Sequence, residues 1–176
     1  VVDAAHGAGL AVTAHALTAA MVERALDAGI DELAHTPVEA LPAPLVQRIA
    51  SADVAVVSTL QCHSYSGRSA ATANAAALHR AGVRMIYGTD LGNSGTITGA
   101  DPRELERLAE CGLGRLGALR AATEGSAAAS GMRAGPGRLD LGGPAALVLL
   151  KGDPLSDPQV WREPLAVCAA GRLLQP

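Results

Sequence analysis

Three side chains of metal-ligand type each close a short apolar run: His15 in TAHA, His35 in LAHT and Asp90 in YGTD. Neutral imidazole is the usual nitrogen donor to zinc and related metals. A carboxylate beside such a metal can take the proton from a bound water, whose pKa the metal lowers to about 7. Taken singly, each residue has a plainer use. A histidine at a strand end is more often a structural hydrogen bonder, and an aspartate there makes an Asx turn or a cap. Repetition weighs against the plainer use, because barrels of alternating strands and helices gather their working groups at the carboxyl ends of strands.

The elements that must position these residues can be read from punctuation and periodicity. Residues 1 to 8 read as helix and Gly9 ends them; LAVTA is a short buried strand, with His15 following directly. Thr18 can cap a helix whose Val22, Ala25 and Leu26 face inward, before Gly29 stops it and IDELA leads to His35. Pro42 and Pro44 open a helix through Ile49, and VAVVSTL from Val54 is the clearest strand signal. QCHSYSGRS then reads as a polar loop, Ser69 to Ala81 as an alanine-rich helix, and VRMIY as the strand that delivers Asp90. The glycine-rich GTDLGNSGTITGA reads as a mobile loop. It ends at Asp101, Pro102 and Glu104, which have the spacing of a capping box.

Leu105 and Leu108 mark the buried face of the next helix, and segments 116–123 and 126–132 continue helically. The alternation of strand and helix predicts parallel strands with right-handed crossovers, an α/β architecture. The texture changes near Gly135. ALVLL, LAVCAA and RLL are short strands separated by Gly and Pro, which predicts two units, residues 1–134 and a β-rich 135–176.

Bulk properties narrow the function classes. A net charge of -3 and 2% aromatic residues give no basic surface or stacking platform for nucleic acid, so small molecules are the expected partners. No apolar run approaches the roughly 20 residues that span a bilayer, so no membrane partner is expected. Three dispersed cysteines form no CxxC pair, which points to a reducing cytoplasm. Homo-oligomerisation stays open. The 176 residues fall short of the roughly 250 of a complete eight-stranded α/β barrel. The start at Val1, inside an apparent helix, predicts a portion of a longer chain.

TAHA, the LAH at His35, STL after the third strand, GTDLGNSGT, RELERL, ALRAAT and GRLDLGGPAALVLLKGDPLSDP together resemble the amidohydrolase superfamily. The resemblance is narrower still to its imidazolonepropionase-like and Xaa-Pro dipeptidase-like members, and it covers nearly the whole chain. It implies strands five to eight of a (β/α)8 TIM-type barrel, followed by the C-terminal strands of a small β-sandwich domain. His15 and His35 would then end strands five and six, and Asp90 strand eight.

The activity implied is hydrolysis of carbon–nitrogen bonds in non-peptide amides, cyclic amides or dipeptides, by attack of a metal-bound hydroxide. Asp90 would be both proton shuttle and metal ligand, and His15 a metal ligand. His35 would be a second-metal ligand or a catalytic contact polarising the substrate. His63, Asn93, Gly95 and Thr96 would touch substrate. The cofactor implied is one or two divalent ions, zinc foremost.

The departures matter equally. The family's His-x-His pair has no counterpart among His6, His15, His35, His63 and His79, and the single lysine, Lys151, lies in the tail instead of on strand four. The expectation is therefore an incomplete site that holds metal weakly, and an isolated chain without activity. The alternative is a non-catalytic half barrel serving as a structural or oligomerisation module. A nucleotide-binding doubly wound domain needs a Gly-rich turn after its first strand, and Ala14-His15-Ala16-Leu17 is not one. His6 and His79 read as helix-surface residues, Arg68 as a solvated loop cation, and Trp161 as tail packing.

Overall fold

The structure, a computed structural model, describes residues 1–63, 70–130, 137–169 and 171–174. Helices and strands alternate through its first part: α1 (Val2–Gly7), β1 (Thr13–Ala14), α2 (Ala19–Asp27), β2 (Glu32–Leu33), α3 (Ala43–Ser51), β3 (Ala55–Val57), α4 (Leu60–His63), α5 (Ala71–Arg80) and β4 (Met85–Ile86). Thr18 caps α2 as its type predicts, its hydroxyl accepting the Met21 N–H at 3.3 Å. The expected polar loop at QCHSYSGRS differs: its start is the helical turn α4, and residues 64–69, Arg68 included, lie outside the described residues.

β1 to β4 pair in parallel and in chain order, with Thr13 opposite Glu32, Leu33 opposite Val56, and Val57 opposite Ile86. This order never reverses, so the sheet has no topological switch point of the doubly wound kind and winds in one direction, as a barrel wall does. Leu33, Val56, Val22, Ile49, Leu78 and Leu108 are fully buried in one continuous core that joins the sheet to α2, α3, α5 and the helices after β4. Apolar strands buried on both faces are what parallel sheets require.

After β4 a loop leads to α6 (Pro102–Leu108), α7 (Gly114–Arg120) and α8 (Ser126–Ala129). The expected separate helices are joined here by π-type turns over Ala109–Leu113 and Ala121–Gly125. Gly112, at φ +106°, makes the bend between α6 and α7, a conformation that a side chain would resist. Asp101 caps α6 by accepting the Arg103 N–H at 3.0 Å. Glu104 departs from the expected capping box and turns inward. The boundary expected at Gly135 lies in 131–136, outside the described residues.

The tail forms an antiparallel sheet, β5 (Leu147–Leu149), β6 (Ala166–Ala169) and β7 (Arg172–Leu174), in the order β5-β6-β7. It docks on the helices through Arg115, whose guanidinium donates to the carbonyls of Leu155 and Ser156 at 2.7 and 2.6 Å, and through the partly buried Trp161. Among the described residues, no helix is long and apolar enough to cross a membrane.

Candidate active site

The carboxyl ends of β1 to β4 bring together side chains that are far apart in sequence. The His15 and His35 rings stand edge to face with centroids 4.8 Å apart, and the His63 ring meets His35 in the same way at 5.7 Å. Asp90 Oδ2 lies 3.9 Å from His35 Nδ1. His35 is thus the hub, 8% exposed, while His15 is open to solvent and the Asp90 side chain is 34% exposed. Each position follows from the chain path: the parallel strands deliver His15 directly after β1 and His35, His63 and Asp90 in the segments that follow β2, β3 and β4.

Burial sets the charge of this cluster. Desolvation pulls the His35 imidazole below its ordinary pKa, with His15 and His63 pulling the same way and Asp90 opposing. Desolvation also lowers His63. It raises the Cys62 thiol, helped by Asp90, whose Oδ2 accepts the thiol at 3.8 Å. His35, His63 and Cys62 are therefore neutral at neutral pH. A neutral imidazole is a ligand or a hydrogen-bond partner, and a protonated thiol is no nucleophile.

Asp90 sits at φ +52° and Thr59 at φ +46°, both at strand ends of this cluster. Positive φ is tolerable for aspartate, but for a β-branched threonine it is a real outlier. Asn93 secures Asp90, donating from Nδ2 to its Oδ2 at 2.7 Å and to its carbonyl at 3.1 Å. The Thr96 hydroxyl donates to the Asn93 carbonyl at 2.7 Å and accepts the Gly92 N–H at 3.2 Å, while Gly95 offers its carbonyl to Arg103 at 2.7 Å. Asn93, Gly95 and Thr96, expected as substrate contacts, brace the Asp90 loop in this structure.

Two residues at the site escape the sequence reading. Thr59 places its hydroxyl 3.2 Å from His35 Nδ1. Glu104, fully buried, accepts the N–H groups of Leu60 at 3.0 Å and Gln61 at 2.6 Å, and so ties α6 to the segment carrying Thr59, Cys62 and His63. Burial pushes the Glu104 pKa up, against the lowering effect of Ser58 and these N–H donors. Glu104 three residues after a capping aspartate gives no sequence signal for this long-range role. Thr59 lay inside STL, where only its β-branched type was legible.

The donor types fit a divalent cation, since imidazole nitrogen and carboxylate oxygen are what zinc takes. Among the described residues, however, no three His, Cys, Asp or Glu side chains form a group that could hold the ion.

Residues 1–174 match the amidohydrolase family. A solved prolidase complexed with N-methylphosphonate-L-proline is 26% identical with TM-score 0.81, over 99% of this chain and 47% of that one. An Xaa-Pro dipeptidase with methionine in its active site is 21% identical with TM-score 0.86, over 99% and 47%. The ochratoxinase of A. niger is 23% identical with TM-score 0.83, over 99% and 43%. This chain thus spans about half the length of these structures, and no curated protein matches it. With the α/β fold and nearly every residue matched, the chain belongs to the amidohydrolase family.

Proposed function

We propose that this chain supplies one side of the active site of a metal-dependent hydrolase that cleaves carbon–nitrogen bonds in small amides, cyclic amides or dipeptides. The convergence of His15, His35, His63 and Asp90 at one sheet edge carries this reading. The prolidase and dipeptidase among the similar structures favour dipeptides within that range. In this reading the chain is the C-terminal portion of a barrel, strands five to eight, with the end of a small sandwich domain. Its remaining ligands then lie outside these 176 residues.

His15 and His35 would hold a divalent cation, zinc by donor chemistry, with Asp90 beside it. When bound, the cation acidifies water and polarises the scissile carbonyl. Asp90 takes the proton from the attacking water and returns it to the leaving nitrogen, which a carboxylate held at one oxygen by Asn93 is placed to do. His63, neutral and half-buried, contacts substrate. The isolated chain is inactive, because a partial ligand set positions neither cation nor water.

The test is Asp90→Asn in the full-length protein, assayed on a panel of dipeptides and N-acyl amides. The loss of a positioned general base predicts a fall in kcat of about 10²- to 10⁴-fold with metal content retained. Unchanged turnover would sink the assignment, and His15→Ala with unchanged metal content would sink the ligand assignment.

A further inference from the structure

We propose that Arg103 is a positioning residue: its guanidinium, fixed by the buried Asp101, clasps the loop that follows Asp90 and so keeps Asn93 in place on the Asp90 carboxylate. Packing does not hold the first half of that loop. Leu91 to Gly95 are all exposed, and Gly92, Gly95 and Gly99 take φ of +113°, +80° and +77°, a region that glycine enters and leaves at little cost. The loop's own hydrogen bonds close on one another. Gly92 N–H donates to the Thr96 hydroxyl at 3.2 Å, that hydroxyl donates to the Asn93 carbonyl at 2.7 Å, and Asn93 Nδ2 donates to Asp90 Oδ2 at 2.7 Å.

Arg103 enters this chain of bonds from α6. Its Nη2 donates to the Gly95 carbonyl at 2.7 Å, one residue before Thr96. The same Nη2 donates to Asp101 Oδ2 at 2.6 Å, and Nε donates to Asp101 Oδ1 at 2.9 Å. This is the two-pronged pairing that a guanidinium makes with a carboxylate and an ammonium cannot. Asp101 is a fixed anchor: fully buried, it accepts the Arg103 backbone N–H at 3.0 Å, and its own N–H donates to the Tyr87 hydroxyl at 2.6 Å. Desolvation alone would raise the Asp101 pKa, but its bonds from Arg103 hold the carboxyl below its ordinary value, so the pair stays charged. Tyr87 directly follows β4, so both ends of the loop return to the strand that delivers Asp90.

An arginine beside such a mouth could instead clamp a substrate carboxylate. The Nε and Nη2 edge of this one is already committed to Asp101 and Gly95, which favours the clasp. Without it the glycines let the loop open, Asn93 leaves, and the Asp90 carboxylate loses its fixed direction. Only this consequence for turnover rests on the hydrolase reading; the clasp does not.

Amide hydrogen exchange by NMR on the intact protein, without substrate, tests the clasp. Arg103→Met should speed exchange at Gly92 and Thr96 about tenfold to a hundredfold, the worth of one hydrogen bond from a charged donor, and should move the Asn93 side-chain amide signals toward those of a solvated amide. Ala34 and Val56, bonded across the parallel sheet, should be accelerated less. Arg103→Lys keeps a cation against Asp101 without the fork. It should recover melting temperature lost in Arg103→Met but not the loop protection, and it carries the same readout if the methionine variant does not fold. The proposal is overturned if wild-type Gly92 and Thr96 exchange as an unstructured chain does, if their acceleration is no larger than that of Ala34 and Val56, or if lysine restores the loop together with the melting temperature. In turnover assays of the full-length protein, kcat should fall about tenfold to a hundredfold with KM little changed, as misplacement of a reacting group does. A released loop with unchanged kcat leaves the clasp standing and counts against Asp90 as the proton shuttle, so the two failures are told apart.

Discussion

The two sheets are built from similar apolar runs and end in opposite states. VAVVSTL becomes β3, with Val56 fully buried beneath helices, while ALVLL becomes β5, with Leu149 59% exposed. Leu173 in β7 is 67% exposed, whereas Leu33 in β2 is wholly buried. Backbone strain divides the same way. Thr59 and Asp90 take positive φ at the ends of the parallel sheet, and in the described tail only glycines do. A covered sheet can hold side chains in costly conformations because its packing over-determines them; an open one cannot. The chemistry therefore sits where the core is, and the tail is a docked appendage held by Arg115 and Trp161.

The largest expected effect sharpens that contrast. Leu33→Ala removes a fully buried side chain from the parallel sheet and should destabilise the chain by about 2–5 kcal/mol, as cavities in packed cores do. Leu149→Ala in the open sheet should change stability by about 0.5 kcal/mol or less. Chemical denaturation of both variants checks this. Equal losses would mean that the tail is as tightly packed as the barrel wall, and the contrast would fail.

Two narrower changes probe how the packed sheet holds its strain. Glu104→Gln leaves one oxygen and adds an NH₂ where two backbone N–H groups converge, so at least one buried donor loses its acceptor. A loss of about 1–3 kcal/mol is expected, with a drop in kcat of the full-length protein as Thr59 and α4 relax. Gly88→Ala should lose a similar amount, about 1–3 kcal/mol, because the added Cβ displaces Val57 and with it the route to Asp90. If both variants melt as wild type does, the strand ends are not over-determined.

Much of this arrangement was legible in the sequence, and the illegible parts share a cause. The strands, the Thr18 and Asp101 caps and the strand-end positions of His15, His35 and Asp90 follow from local periodicity and capping chemistry, which a linear chain displays. Glu104 was not legible as a clamp, because its partners, Leu60 and Gln61, are more than forty residues away. Thr59 was not legible as a left-handed residue, because its own type argues against that conformation and only tertiary contacts impose it. Nor did the sequence tell a covered strand from an open one. ALVLL and VAVVSTL differ in their neighbours more than in themselves.

The smallest expected effect is a pH dependence confined to the packed region. His35 and His63 have folded pKa values pulled below the ordinary imidazole value of 6.5 by burial. Above that value both folded and unfolded forms are neutral and pH does not matter to them. As pH falls through 6.5 the unfolded chain binds protons that the folded chain refuses, so stability is lost until the folded pKa values are passed. Glu104 acts oppositely: its folded pKa is raised above 4.5, so its neutral form favours the fold as pH falls through the raised value toward 4.5. The melting temperature should thus fall as pH drops from about 7 to about 5, and the fall should be steeper in Glu104→Gln, which removes the opposing group. Replacing both histidines by glutamine should flatten it. If the double replacement keeps the wild-type slope, the buried imidazoles are not its source, and the cluster at the strand ends is wetter than its geometry requires.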